Sequence, residues 1–373
     1  MTKYIIIGAG ILGASTAYHL AKAGADVTVV DRQDQGRATD AAAGIICPWL
    51  SQRRNKAWYA LAKGGAAYYA SLIRKLEEDG EVETGYRQVG AISLHTDGLK
   101  LSKMEERATQ RREAAPEIGM IRQLTPAETS GICPPVAEEY GAVHVSGAAR
   151  VNGRALRQAL EHAAKKHGAQ FVCGSAKLKH TNGRVTGVYV GDTELRADRV
   201  LITAGAWAGE LVKPLGIDLQ VDGQKAQIVH LQLEEQDTGN WPVVMPPTDQ
   251  YIVPFEDGQV VVGATHENDT QFDQRVTAGG LHEVLHKALT VAPGLADAAV
   301  AEVRVGFRPF TADFLPVIGE VPGVKGLLLA NGLGASGLTV GPYLGKQLAH
   351  IALGEACDID LTLYEVSKAI GNR

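Results

Sequence analysis

Apolar and polar positions alternate along the chain in two rhythms. Residues 4–7 form a short β-branched and aromatic run, the pattern of a strand buried on both faces. Residues 14–23, rich in Ala and Leu, predict a helix that Gly24 stops, and residues 27–30 predict a second strand ending on Asp31. A long amphipathic helix is expected over 56–79, where Trp58, Leu61, Tyr68, Leu72, Ile73 and Leu76 recur at helical spacing and Gly64 and Gly65 interrupt it. Then follow a strand at 86–94, a charged helix at 99–115, a short helix beginning at Pro126, a strand at 141–145 and a helix at 154–167. Strands are expected at 170–172, 185–190, 194–197 and 200–203, with an Asn182-Gly183 turn and a helix beginning at Trp207. Residues 223–230 and 250–263 read as strands, the latter a hairpin around Asp257-Gly258. A helix at 280–292, strands at 300–307 and 327–330, a loop with Gly332, Gly334 and Gly337, and a helix at 342–353 complete the pattern.

Three glycines give the first strand–helix–strand unit its chemistry. Gly8, Gly10 and Gly13 stand in G-x-G-x-x-G register directly after the strand. Gly8 allows a sharp turn, Gly10 lets a pyrophosphate approach the backbone, and Gly13 lets the helix pack close to the sheet. The helix start then offers N–H groups and a positive dipole end to phosphates. Asp31 closes the second strand, where a carboxylate can take a ribose hydroxyl pair and would repel a 2′-phosphate. The motif by itself does not choose between NAD and FAD. Residues 38–44 are small, which lets backbone lie against a flat ring or a phosphate.

Composition narrows the class. A chain of 373 residues exceeds what one core usually serves, so two domains are expected. Net charge is −5, which suggests no nucleic-acid surface. The four cysteines, Cys47, Cys133, Cys173 and Cys357, show no zinc or redox spacing, so no metal site is expected and the thiols read as those of a cytoplasmic protein. The apolar start mimics a signal peptide, but its glycines belong to the turn. No apolar run reaches membrane-spanning length, while peripheral membrane contact and a homo-oligomer stay open.

Six stretches taken together resemble the D-amino-acid-oxidase-like family of FAD enzymes, which includes glycine oxidases, sarcosine oxidases and D-amino-acid dehydrogenases. They are GAGILG, AAAG, TAGAWAG, the YIVP…VVVGAT hairpin, GFRPFTADFLPVIG and GLGASGLTVGP, in that order over essentially the whole length. The resemblance implies an α/β fold in which a Rossmann-like FAD-binding domain (1–80, 140–216 and 325–373) is interleaved with a substrate domain on a mixed β-sheet (81–139 and 217–324). It further implies that Gly8, Gly10, Ile11, Leu12 and Gly13 form the pyrophosphate turn, and that Asp31 and Arg32 meet the adenosine end. Ala38, Thr39, Ala43, Gly44 and Ile45 would pass along the pyrophosphate and flavin ring. The backbone near Lys177 would hold adenine, and Gly205 of the strand–turn would face the cofactor. Leu333, Gly334, Ala335, Ser336, Gly337, Leu338 and Thr339 would close over the isoalloxazine. Tyr251 and Arg308 match the positions that bind the substrate carboxylate.

The chain also departs from the family's pattern. Ala335 stands where some glycine oxidases carry a further arginine, which tilts the reading toward a D-amino-acid-dehydrogenase-like enzyme. No cysteine lies in residues 305–311, where sarcosine oxidases attach their flavin, so FAD should be held non-covalently. The implied reaction is oxidation of the carbon–nitrogen bond of a D-amino acid, glycine or a secondary amino acid, giving an imino acid that hydrolyses to a 2-oxo acid. Oxygen or another acceptor would reoxidise the flavin. An RNA-nucleoside aminomethyl oxidoreductase and a non-catalytic dinucleotide-binding scaffold are the competing readings. The acidic balance opposes the first, and Tyr251 with Arg308 opposes the second. His266, just after the hairpin, reads as a surface histidine with a place facing the pocket as the alternative, Cys47 as an inert buried thiol, and Trp49 as either a pocket cover or core filling.

Overall fold

The computed structural model describes residues 2–234, 236–268 and 270–371. Its first sheet has six strands in the order Val317–Glu320, Leu327–Asn331, Arg199–Ile202, Lys3–Ile7, Asp26–Asp31, Gln170–Cys173, all parallel except the first. The central strand is buried on both faces. Tyr4 and Ile6 enter the core beneath the helices Ile11–Lys22, Gly153–Lys166 and Gly337–Leu353. Ile5 and Ile7 enter a second core, covered by a three-stranded antiparallel sheet spanning residues 176–196. This is why the run carries no polar alternation.

The second large sheet has eight strands and mixed pairing. Its order is Ala299–Thr311, Val221–Gln232, Gln259–Gly263, Tyr251–Pro254, Val243–Met245, Ala91–His95, Gly141–Val145, Ile121–Leu124, with only Val243–Met245 and Ala91–His95 parallel. The helix Ala278–Val291 covers one face through Val284, Ala288 and Val291.

Several elements depart from the pattern reading. The expected strand at 86–94 is two strands, Tyr86–Gln88 and Ala91–His95, in different sheets, because Gly90 turns the chain at φ +76°. Gly141–Val145, expected with the cofactor unit, pairs with Ala91–His95 in the eight-stranded sheet, and Val317–Glu320 pairs into the six-stranded one. The helix Lys56–Glu78 runs unbroken through Gly64 and Gly65. A Cβ at Gly65 would lie 2.2 Å from the carbonyl oxygen of Thr339, so the glycine permits a close crossing with the last helix.

That last helix, Gly337–Leu353, begins five residues before Pro342, where the proline was expected to open it. Proline cannot donate to the carbonyl four residues back. Here that carbonyl belongs to Leu338, and the Tyr69 hydroxyl donates to it at 2.6 Å. The long helix thus satisfies the acceptor that Pro342 leaves open.

No helix among the described residues is long and apolar enough to cross a membrane. Trp49 is core filling, 1% exposed.

Candidate active site

Three loops at the ends of the parallel strands frame a cavity of about 470 Å³ that runs on to the eight-stranded sheet. The glycine turn forms its floor. Gly8 has φ +104°, and a Cβ there would come within 2.7 Å of the Thr203 carbonyl oxygen. A Cβ at Gly13 would lie 1.9 Å from the Gly8 carbonyl oxygen, so this glycine serves helix packing and lies outside the lining. Gly10 faces the cavity, where a Cβ would meet only the Thr39 hydroxyl at 3.4 Å. That hydroxyl accepts the Ile11 N–H at 3.0 Å, joining the turn to the small-residue segment.

Of the site residues expected from the sequence, all but Gly13, Lys177 and Ser336 line this cavity. The wall near Lys177 is made by Gly174, Ser175 and Ala176, while Lys177 itself is exposed on the strand Ala176–Thr181. Ser336 faces away and accepts a hydrogen bond from Trp58 Nε1 at 3.0 Å. The C-terminal loop is tied down by Asn331, whose side chain donates to the Gly205 carbonyl at 2.8 Å, and by Thr339, whose hydroxyl donates to the Ile45 carbonyl at 2.9 Å.

At one end, Asp31 Oδ2 accepts the Ala9 N–H and Oδ1 accepts the Gln33 N–H, each at 2.6 Å. Arg37 sits 3.5 Å from Asp31 and 2.8 Å from Asp40, and Arg32 pairs with Asp34 and Glu210. At the other end, Arg308 and Tyr251 project from two strands of the eight-stranded sheet. Arg308 stands opposite Gln224 in the pairing with Val221–Gln232, and its Nη1 lies 3.5 Å from the Gln224 amide oxygen. Tyr251 stands opposite Gly263, where a Cβ would lie 2.8 Å from the tyrosine hydroxyl. Burial raises the Tyr251 pKa, against the charge and hydrogen bond of Arg308, so the phenol stays neutral and able to donate.

His266 is a surface histidine, as expected, and it also stands on the cavity wall. Burial of its ring and the nearby Arg308 cation lower its pKa, against the opposing pull of Asp249, so it is largely uncharged at neutral pH. Asp249 also lines the cavity; burial raises its pKa, but hydrogen bonds from Lys287 and Gln250 hold it below the usual range. Cys47 is buried outside the lining, its thiol pushed up to about 12 by burial.

Sequence reasoning missed Arg37, Arg53, Trp207 and Phe307 as lining residues. Arg37 and Arg53 sit in polar segments that look like solvated loops. Trp207 and Phe307 form an aromatic contact, with ring centroids 6.2 Å apart, that brings together distant parts of the chain.

Comparison with known proteins identifies the family of the chain. A family model described as FAD dependent oxidoreductase matches residues 3–351. The chain is 63% identical over 371 residues to an uncharacterized oxidoreductase of Bacillus subtilis, covering 99% of this chain and all of that one. It is 31% identical over 370 residues to a glycine oxidase of Pseudomonas aeruginosa, covering 97% of this chain and 98% of that one. The crystal structure of iminodiacetate oxidase from Chelativorans sp. BNC1 superposes with a TM-score of 0.94 at 44% identity, covering 97% of this chain and 98% of that one.

The residues present fit an FAD. A bare backbone stands at Gly10, a carboxylate closes the second strand, and small side chains at Ala41, Ala42, Ala43 and Gly44 leave a flat wall.

Proposed function

The chain belongs to the family of FAD-dependent oxidoreductases, and on that premise we propose that it oxidises the carbon–nitrogen bond of a small amino acid whose carboxylate is held by Arg308 and Tyr251. The observation that carries this reading is their shared position: a guanidinium and a neutral phenol enter the same cavity from the eight-stranded sheet, opposite the glycine turn. When bound, the flavin supplies the acceptor for the two electrons that leave the substrate.

The protein's own part is to bind and orient. Arg308 offers a planar fork matched to both oxygens of a carboxylate. Tyr251 adds one hydroxyl donor. Holding the carboxylate at a fixed point turns the α-carbon toward the cofactor wall. The substrate nitrogen must be neutral, so that its lone pair can stabilise the developing iminium. The lowered pKa of His266 disfavours a second cation beside Arg308. The imino acid would then hydrolyse to a 2-oxo acid, and oxygen or another acceptor would take the electrons onward.

The relatives support an amino-acid substrate. One is named for glycine, a primary amine, and another for iminodiacetate, a secondary amine. Anaerobic mixing of the FAD-loaded protein with a panel of glycine, D-amino acids and N-substituted glycines tests the reading. Bleaching of the flavin absorption is the expected result. An unbleached flavin across the panel would refute it.

A further inference from the structure

Four arginines line the cavity: Arg32, Arg37, Arg53 and Arg308. Two are neutralised within the protein. Arg32 pairs with Asp34 and Glu210, at 2.8 and 3.2 Å, and Arg37 with Asp40 and Asp31, at 2.8 and 3.5 Å. The remaining lining carboxylate, Asp249, is bound by Lys287 at 3.2 Å. Among the described residues no carboxylate forms an ion pair with Arg53 or Arg308. Arg53 meets the ring of Trp58, and Arg308 the amide of Gln224. The cavity therefore holds two uncompensated cations. A partly desolvated charge without a counter-charge is costly, and a ligand that brings the opposite charge relieves that cost.

We propose that Arg53 binds a second carboxylate of the substrate, so that the site takes secondary amines bearing an acid on each arm. This rests on the reading of Arg308 as the anchor of the first carboxylate.

The side chain is mounted for such a role. Its guanidinium lies over the Trp58 ring, 4.7 Å from the centroid. Stacking covers one face of the guanidinium and leaves its N–H edges free to meet a carboxylate. The platform is itself fixed, because Trp58 Nε1 donates to Ser336 Oγ at 3.0 Å, between Ala335 and Gly337 of the lining. The preceding backbone is fixed as well. The Arg53 N–H donates to Ser51 Oγ at 3.2 Å, and Arg111 Nη1 donates to the Ser51 carbonyl at 2.7 Å. Burial lowers the Arg53 pKa and no acidic neighbour offsets it. The side chain nonetheless stays open to solvent, which leaves it within reach of an incoming ligand.

Ligand binding to the FAD-loaded protein tests this without turnover. Thiodiacetate carries two carboxylates about a sulfur in place of the amine, and (methylthio)acetate carries one. Each is titrated while the flavin absorption is followed. The native protein should bind the diacid about 30-fold more tightly, the scale of one charge-assisted contact. Arg53→Met should collapse that preference to about threefold or less while leaving the monoacid almost unchanged, and Arg53→Lys should keep part of it. Equal weakening of both ligands, loss of FAD from Arg53→Met, or no preference in the native protein would each overturn the proposal. Failure of every amino acid to bleach the flavin would overturn the oxidase reading instead, because the diacid preference is measured independently of it.

Discussion

Asp31 Oδ2 accepts the N–H of Ala9 at 2.6 Å, so the acid that ends the second strand also braces the glycine turn. Its other oxygen accepts the Gln33 N–H at 2.6 Å and lies 3.5 Å from Arg37. One carboxylate thus shapes the turn and still has lone pairs left for a ribose. Asp31→Ala should weaken FAD retention by about 1.5–3 kcal/mol, the scale of a lost charge-assisted hydrogen bond. It should also lower the melting temperature of the apoprotein, because the Ala9 N–H loses its acceptor. Asp31→Asn, which keeps one acceptor oxygen, should do less of both. Flavin retention after ultrafiltration and the apoprotein melting curve measure the two effects; an unchanged flavin affinity in Asp31→Ala would remove the ribose role.

Arg308→Met should cut kcat/KM for amino acids at least about 100-fold, the equivalent of roughly 3 kcal/mol. FAD content should stay the same, since the residue enters the cavity from the eight-stranded sheet and not from the glycine turn. Tyr251→Phe removes a neutral donor and should cost about 0.5–1.5 kcal/mol. An amine without a carboxylate is the control. Arg308→Met should penalise the amino acid far more than this amine, and equal losses on both would show that the carboxylate is held elsewhere.

The flavin should be released on acid precipitation. None of the four cysteines lines the cavity, and Cys47 is a buried, protonated thiol. Colour should pass to the supernatant; colour kept by the pellet after washing would mean a covalent link.

His19 predicts an acid-sensitive fold. Burial first, then the charges of Lys75, Lys346, His350 and Lys22, lower its pKa from 6.5 to about 3. Its Nε2 lies 2.7 Å from the Tyr68 hydroxyl. The unfolded chain protonates this imidazole near its ordinary value while the folded chain does not. Stability is therefore full well above pH 6.5 and declines as the pH falls toward 3, by about 1.6 kcal/mol between pH 6.5 and pH 5. His19→Gln should flatten that part of the curve in urea unfolding series. Parallel slopes for the variant and the parent would rule out His19 as its source.

Much of this protein is written locally. The strand–glycine turn–helix–strand–acid order of the first 31 residues rests on side-chain size and on periods of two and 3.6, which neighbours in sequence enforce on one another. The Tyr251 hairpin and the C-terminal glycine loop were legible for the same reason. Other features depended on partners far along the chain. Pro342 reads as a helix start until Tyr69 arrives to satisfy the Leu338 carbonyl. Residues 141–145 read as a strand of the cofactor unit until Ala91–His95 pairs with them in the eight-stranded sheet. The pairs Arg32–Asp34 and Arg37–Asp40 lie between near neighbours in sequence, whereas only tertiary packing brings Glu210 to Arg32 and Arg308 to Gln224. Backbone pattern is a short-range property and survives in the sequence. Which side chains share the cavity depends on distances between residues as far apart in the chain as Arg53 and Arg308, and these exist only once the chain has folded.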